Sequence, residues 1–123
     1  MKKDKQLTLH FKLSEFTCNC GRDECDAPEP STKLVAMLEL TRSAIGKPIY
    51  INSGSRCDYW NEHEGGSDNS KHKKGLAVDI RCTNATDKLI LYNQLWKSGF
   101  RRFGISKYFI HADIADGACM WGY

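Results

Sequence analysis

No stretch of this 123-residue sequence approaches the roughly 20 consecutive apolar residues that cross a bilayer. The run from Met1 to Gln6 is basic, but Leu7 to Lys12 is too short and too polar for the core of a secretory signal. Membrane insertion is therefore not expected, and synthesis in the cytoplasm without a signal peptide is. A strong excess of one charge is missing as well, since 18 Lys and Arg against 15 Asp and Glu leave only +3. The basic cluster Lys71, Lys73 and Lys74 reads as a solvated loop, and basic residues are not interleaved with aromatics as a nucleic-acid groove requires. No internal repeat or low-complexity tract interrupts the chain. What remains, 41% hydrophobic and 27% charged residues, suits one compact domain over residues 1–123 with a modest core, expected as a monomer.

The six cysteines lack the paired C-x-x-C spacing of a zinc ribbon. Cys18-x-Cys20-x4-Cys25 nevertheless packs three thiols into eight positions. A second, structural zinc there would need a fourth ligand from His10, Cys57, Cys82 or Cys119. Without export, structural disulfides are not expected either. The spacing favours free or later-oxidised thiols over a metal.

Hydrophobic periodicity outlines an α+β fold, a small antiparallel sheet flanked by two main helices. Ser31 caps a first helix running from Leu34 to Ile45, with Leu34, Met37, Leu38 and Thr41 on one face and Gly46 and Pro48 at its end. Ile49-Tyr50-Ile51 reads as a short strand. A long polar loop with Gly54, Gly65, Gly66 and Ser67 then leads to His72, and a loop of that length is expected to rim a cleft. Leu76 to Ile80 alternates as a strand. Asn84 or Thr86 starts a second helix whose apolar stripe is Leu89, Ile90, Tyr92, Leu95 and Trp96, stopped by Gly99. Arg101 to Ile105 and Tyr108 to Ile114 form an antiparallel pair around Ser106-Lys107, and Ala118 to Gly122 adds a last edge strand.

Two segments carry chemistry. Ser70-Lys71-His72-Lys73-Lys74-Gly75-Leu76-Ala77-Val78-Asp79-Ile80 puts a loop histidine ahead of a strand whose polar face holds Asp79. Tyr108-Phe109-Ile110-His111-Ala112-Asp113-Ile114 puts His111 and Asp113 on one face of a second strand. If the loop folds back, His72, Asp79 and His111 make two imidazoles and a carboxylate, a set suited to a catalytic zinc with one position open to water. Other divalent ions would fit the same donors, and zinc is the expected one.

These strings lie in a longer series: Leu13-Ser14-Glu15-Phe16-Thr17-Cys18, the helix from Leu34 to Ile45, Gly46 to Arg56, Asn61, the Ser-x-His-x-x-Gly-x-Ala-x-Asp-Ile string, Gly99-Phe100, Phe-x-His-x-Asp and Trp121-Gly122. In identity and order they resemble the zinc D-alanyl-D-alanine carboxypeptidase and L-alanyl-D-glutamate endopeptidase family, which shares its fold with lysostaphin-type peptidases and the hedgehog amino-terminal domain. The resemblance covers roughly residues 10 to 122. It implies a zinc metallopeptidase with His72, Asp79 and His111 as ligands and Arg56 holding a substrate carboxylate or carbonyl. Some relatives carry an acid three residues before the second histidine, where this chain has Tyr108, and others an Arg where it has Ala115. Asp113 is then the expected general base, with Glu62, Glu64 and Asp116 as alternatives, and a role fixing His111 also open to it.

The implied substrate is a peptide bond of peptidoglycan stem peptides, D-Ala-D-Ala or L-Ala-D-Glu. A short chain with no separate wall-binding module looks like a phage-type endolysin, reaching the wall by holin-type release or on a virion. The alternative, from another class, is a non-catalytic zinc-containing binding domain or a phage structural part.

Overall fold

The computed structural model describes residues 4–123. Three helices, α1 Thr32–Ile45, α2 Asp58–His63 and α3 Ala85–Lys97, accompany five strands, β1 Ile51–Ser53, β2 Ala77–Arg81, β3 Arg102–Ile105, β4 Phe109–Asp113 and β5 Cys119–Gly122. Short 3-10 turns at Leu13–Phe16 and Lys71–Lys74 complete the described elements. The strands form one sheet in the order β1-β2-β4-β3-β5. The fold is α+β, as the periodicity implies.

Local signals account for the two long helices. Ser31 Oγ accepts the Leu34 N–H at the start of α1, and the Gly46 N–H returns to the Arg42 carbonyl at its end. Leu34, Val35, Leu38 and Thr41 are buried along one side of α1. Asn84 Oδ1 accepts the Asp87 N–H to cap α3. Thr41 Oγ1 donates to Ser98 Oγ at 2.8 Å, tying α1 to the end of α3. Val78 and Ile80 of β2, Phe103 of β3 and Ile110 and Ala112 of β4 are buried in one cluster with the helix residues Leu34, Leu38, Leu91 and Leu95. Burial of this face, at about 25 cal/mol per Å² of apolar surface, is the main force holding helices to sheet.

Four expectations need correction. The sheet is mixed rather than antiparallel, because β5 pairs parallel to β3. Both edges of β4 are taken, by β2 and β3; β4 ends beside Arg102 at the start of β3, and the short link to Cys119 begins β5 at that same end of the far edge of β3, so it runs in the direction of β3. The first strand begins at Ile51, not Ile49. The stretch before His72 is not all loop, since it holds α2, whose six residues are too few to show a helical period. Finally, Leu91 and Leu95 are the buried residues of α3, whereas Leu89 is 68% exposed and Ile90 and Trp96 are also exposed. α3 meets the core along a narrow i, i+4 seam, and Trp96 instead lies under the Arg101 guanidinium, 3.7 Å from the ring centroid. Among the described residues no helix is long and apolar enough to cross a membrane.

Candidate metal centre

β2 and β4 run antiparallel with Asp79 opposite His111 and Ala77 opposite Asp113. Because side chains alternate, Asp79, His111 and Asp113 share the sheet face turned away from the helices. His72 arrives from outside the sheet. Ser70 Oγ accepts the His72 N–H to open the Lys71–Lys74 turn, Gly75 closes it, and the Arg56 N–H donates to the His72 carbonyl at 2.9 Å. His72, Asp79, His111 and Asp113 are all buried.

The imidazole of His72 is oriented by one contact. Its Nδ1 lies 2.7 Å from the Gly54 carbonyl, which can only accept, so Nδ1 carries the proton and Nε2 is left with a lone pair. That Nε2 is buried without a hydrogen-bond partner, 3.3 Å from Asp79 Oδ1. Asp79 Oδ1 in turn lies 3.0 Å from His111 Nδ1, and one donor atom from each of the three residues falls within 4.8 Å of the others. An orphaned buried nitrogen costs roughly 1–3 kcal/mol, which an ion placed among these atoms would recover. Two imidazole nitrogens and a carboxylate are a donor set that zinc accepts with a position to spare, so the residues fit the ion.

On its other side His111 faces a second carboxylate. Its Nε2 donates to Asp113 Oδ2 at 2.8 Å, while Asp113 Oδ1 accepts from Arg102 Nε at 2.6 Å and from the Ala115 N–H at 3.1 Å. Burial pushes both carboxyls up, yet their partners win. The contact with His111, and the His72 ring beside it, hold Asp79 well below the usual carboxylate range, and hydrogen bonds from His111, Ala115 and Arg102 lower Asp113. For His111, burial opposes the charged form, and the bonds to Asp113 and Asp79 outweigh it and raise the ring. Both carboxylates are thus held ionised, Asp79 beside Arg56 and Asp113 beside Arg102.

A cleft opens over these groups, lined among others by Arg56, Glu64, Ser70, Trp121 and Tyr123. Arg56 reaches Ser53 Oγ at 3.1 Å, Asn61 Oδ1 at 3.3 Å and Asp79 Oδ2 at 3.3 Å, and Asn61 is fixed by donating to the Ser67 carbonyl at 2.8 Å. The sequence reading names His72, Asp79, His111, Arg56 and Asp113, and all five come together. Tyr108, Glu62 and Asp116 are exposed and do not line the cleft, whereas Glu64 does.

Trp121, Tyr123 and Arg102 were not anticipated there. The Trp121 ring sits 5.1 Å from His111, over Gly104, which pairs with His111 across β3 and β4. A Cβ at Gly104 would stand 2.6 Å from Trp121 Nε1. A glycine inside a strand was the one signal of such a close approach.

The structure also chooses a fourth partner for Cys18, Cys20 and Cys25, which is Cys57. Of the other three candidates, His10 bonds Glu39, Cys82 Sγ lies at the Asn84 carbonyl and Cys119 Sγ is beside Arg102.

No match was found among curated proteins. Residues 9–113 match the family model described as Peptidase M15, a span that holds Arg56 and the whole His72, Asp79, His111 and Asp113 cluster. With most of its length matched, the chain belongs to the M15 family of zinc-dependent peptidases.

Proposed function

We propose that the chain cuts a peptide bond in peptidoglycan stem peptides, D-Ala-D-Ala or L-Ala-D-Glu, as a phage-type endolysin that meets the wall after holin-type release or virion delivery. The observation that carries the reading is the buried, unpartnered Nε2 of His72, facing Asp79 and His111 on the floor of a cleft walled by Arg56. His72 through Nε2, His111 through Nδ1 and the Asp79 carboxylate would hold the zinc. The chemistry the ion supplies when bound is Lewis acidity, which makes water a nucleophile near neutral pH and polarises a carbonyl.

The chain's own groups do the rest. Three of the five N–H donors of Arg56 are engaged, on Ser53, Asn61 and Asp79, which leaves two for a substrate carboxylate or a developing oxyanion. Asp113 orients His111. Its two oxygens are committed to His111, Arg102 and the Ala115 N–H, and it is 1% exposed, so it is ill placed to take a proton from water in the cleft. This departs from the expectation that Asp113 is the base. Apart from Asp79, the carboxylate lining the cleft among the described residues is Glu64, and we assign it the proton transfer from water to the leaving amine.

The second reading, a zinc domain that binds wall fragments without turnover, is favoured by one observation. Among the described residues, no carboxylate other than Asp79 and Asp113 contacts His72 or His111.

Incubation of the zinc-loaded protein with purified peptidoglycan fragments of several chemotypes, against a chelated control, separates the two by mass spectrometry. A chelator-sensitive product with new termini names the bond. Stoichiometric zinc with no product from any chemotype would sink the enzymatic reading.

A further inference from the structure

From Thr17 to Asp26 the chain has no helix or strand, and the only residues in that run that are not exposed are Cys18, Cys20 and Cys25. A polar surface loop ordinarily turns apolar residues inward if it turns anything inward. This one turns in three sulfurs. They converge on Cys57, which is buried at the start of α2, and one sulfur from each of the four lies within 4.8 Å of the others.

The spacing is that of a metal site. Sulfurs at the corners of a tetrahedron around zinc, with Zn–S near 2.3 Å, stand about 3.8 Å apart. Cys18 Sγ and Cys57 Sγ are 3.7 Å apart.

Backbone donors already point at the sulfurs as they would at thiolates. The Cys57 N–H approaches Cys18 Sγ at 3.4 Å, the Arg22 N–H approaches Cys20 Sγ at 3.4 Å and the Trp60 N–H approaches Cys57 Sγ at 3.5 Å. A hydrogen bond to a charged sulfur is stronger than one to a neutral thiol, so these contacts favour the ionised, ligating form.

We propose that Cys18, Cys20, Cys25 and Cys57 hold a second zinc ion, structural and separate from the His72, Asp79 and His111 centre. Its binding releases the thiol protons to solvent and exchanges no electrons, so it requires no oxidant. The ion fastens the 17–26 loop to the segment that bears Arg56. The two already touch beside it, where the Ser55 N–H donates to the Phe16 carbonyl at 2.9 Å and a Cβ on Gly54 would stand 2.7 Å from Phe16 Cα. Cys57 follows Arg56 directly and caps the helix that carries Asn61, so the ion braces one wall of the cleft from behind. Soft thiolates in a closed set of four are the donors that select zinc for structure rather than catalysis.

Native mass spectrometry of the reduced full chain, loaded with zinc alone, tests the assignment. The expected result is two zinc ions per chain, falling to one in Cys57→Ser and to one in His72→Ala. Serine at 57 keeps an oxygen for the helix cap, which favours folding. Should that variant fail to fold, alkylation of the wild type decides. Cys18, Cys20 and Cys25 should resist iodoacetamide until a strong chelator is added, while exposed Cys119 reacts throughout. Cobalt in place of zinc should give sulfur-to-metal charge-transfer absorption in wild type and His72→Ala alike. One zinc per chain in the wild type that persists in Cys57→Ser and is lost in His72→Ala, free alkylation of the three loop thiols without chelator, or a mass lower by two hydrogens per cysteine pair under reducing conditions would each overturn the site.

Discussion

The sheet face around Asp79 and the loop around Cys18 gather metal-binding groups by opposite means. Asp79 and His111 are opposed by strand register, and the strands that carry them are held by a buried apolar face on the other side. Cys18, Cys20 and Cys25 sit on a segment with no regular structure and no buried apolar residue of its own. A centre built on a sheet is shaped before any ion arrives. A centre built on a loop draws its order from the ion, as in small zinc-dependent modules. The two regions should therefore differ when metal or ligands are removed: the sheet site should lose chemistry and keep its fold, and the loop site should lose order.

The largest expected effect is at the sheet site. His72→Ala should drop turnover to the level of the chelated protein while leaving the circular dichroism spectrum and the melting temperature close to wild type, and a collapse of the fold would break the comparison. Arg56→Ala comes next, with kcat/KM down about 100- to 1,000-fold and zinc content unchanged, read by steady-state kinetics beside metal analysis. Asp113→Asn sharpens the role of that carboxylate. As a group that orients His111, its loss should weaken zinc about 10- to 100-fold, with activity restored by excess zinc, whereas a lost base would not be rescued by any zinc concentration.

The smallest effect concerns how the amino-terminal segment is pinned ahead of the cysteine loop. Burial pushes the Glu39 carboxyl up, but hydrogen bonds from His10 and Ser43 win and hold it at about 2 against the ordinary 4.5. A carboxyl depressed in the fold stabilises above its unfolded value and loses that contribution as pH falls toward its folded value. Glu39→Gln should thus cost on the order of 1–2 kcal/mol at pH 6 and almost nothing near pH 2, measured by urea unfolding at both.

Period-two alternation was enough to place Asp79 and to put His111 with Asp113, since both strands are central and long enough to alternate clearly. The caps at Ser31 and Asn84 were legible for the same reason, each being a local hydrogen bond. What escaped depended on distant partners. The direction of β5 follows from which sheet edge it joins and at which end, and the choice of Leu91 over Leu89 follows from how narrowly α3 meets the core. Cys57 was one of four candidates for the cysteine cluster, because it lies 39 positions beyond Cys18 and the docking of Phe16 on Gly54 brings them together. Asp113 stood in the sequence as a free acid beside a ligand. Arg102, opposite it in β3, is what commits its second oxygen.

The central claim, that the sheet presents a preformed zinc site, is tested most directly by crystals of the zinc-loaded protein with diffraction recorded on both sides of the zinc absorption edge. The account predicts an anomalous peak among His72 Nε2, the Asp79 carboxylate and His111 Nδ1, with Asp113 still on His111 Nε2. Zinc bound elsewhere in the molecule, with no peak among these three residues, would contradict it.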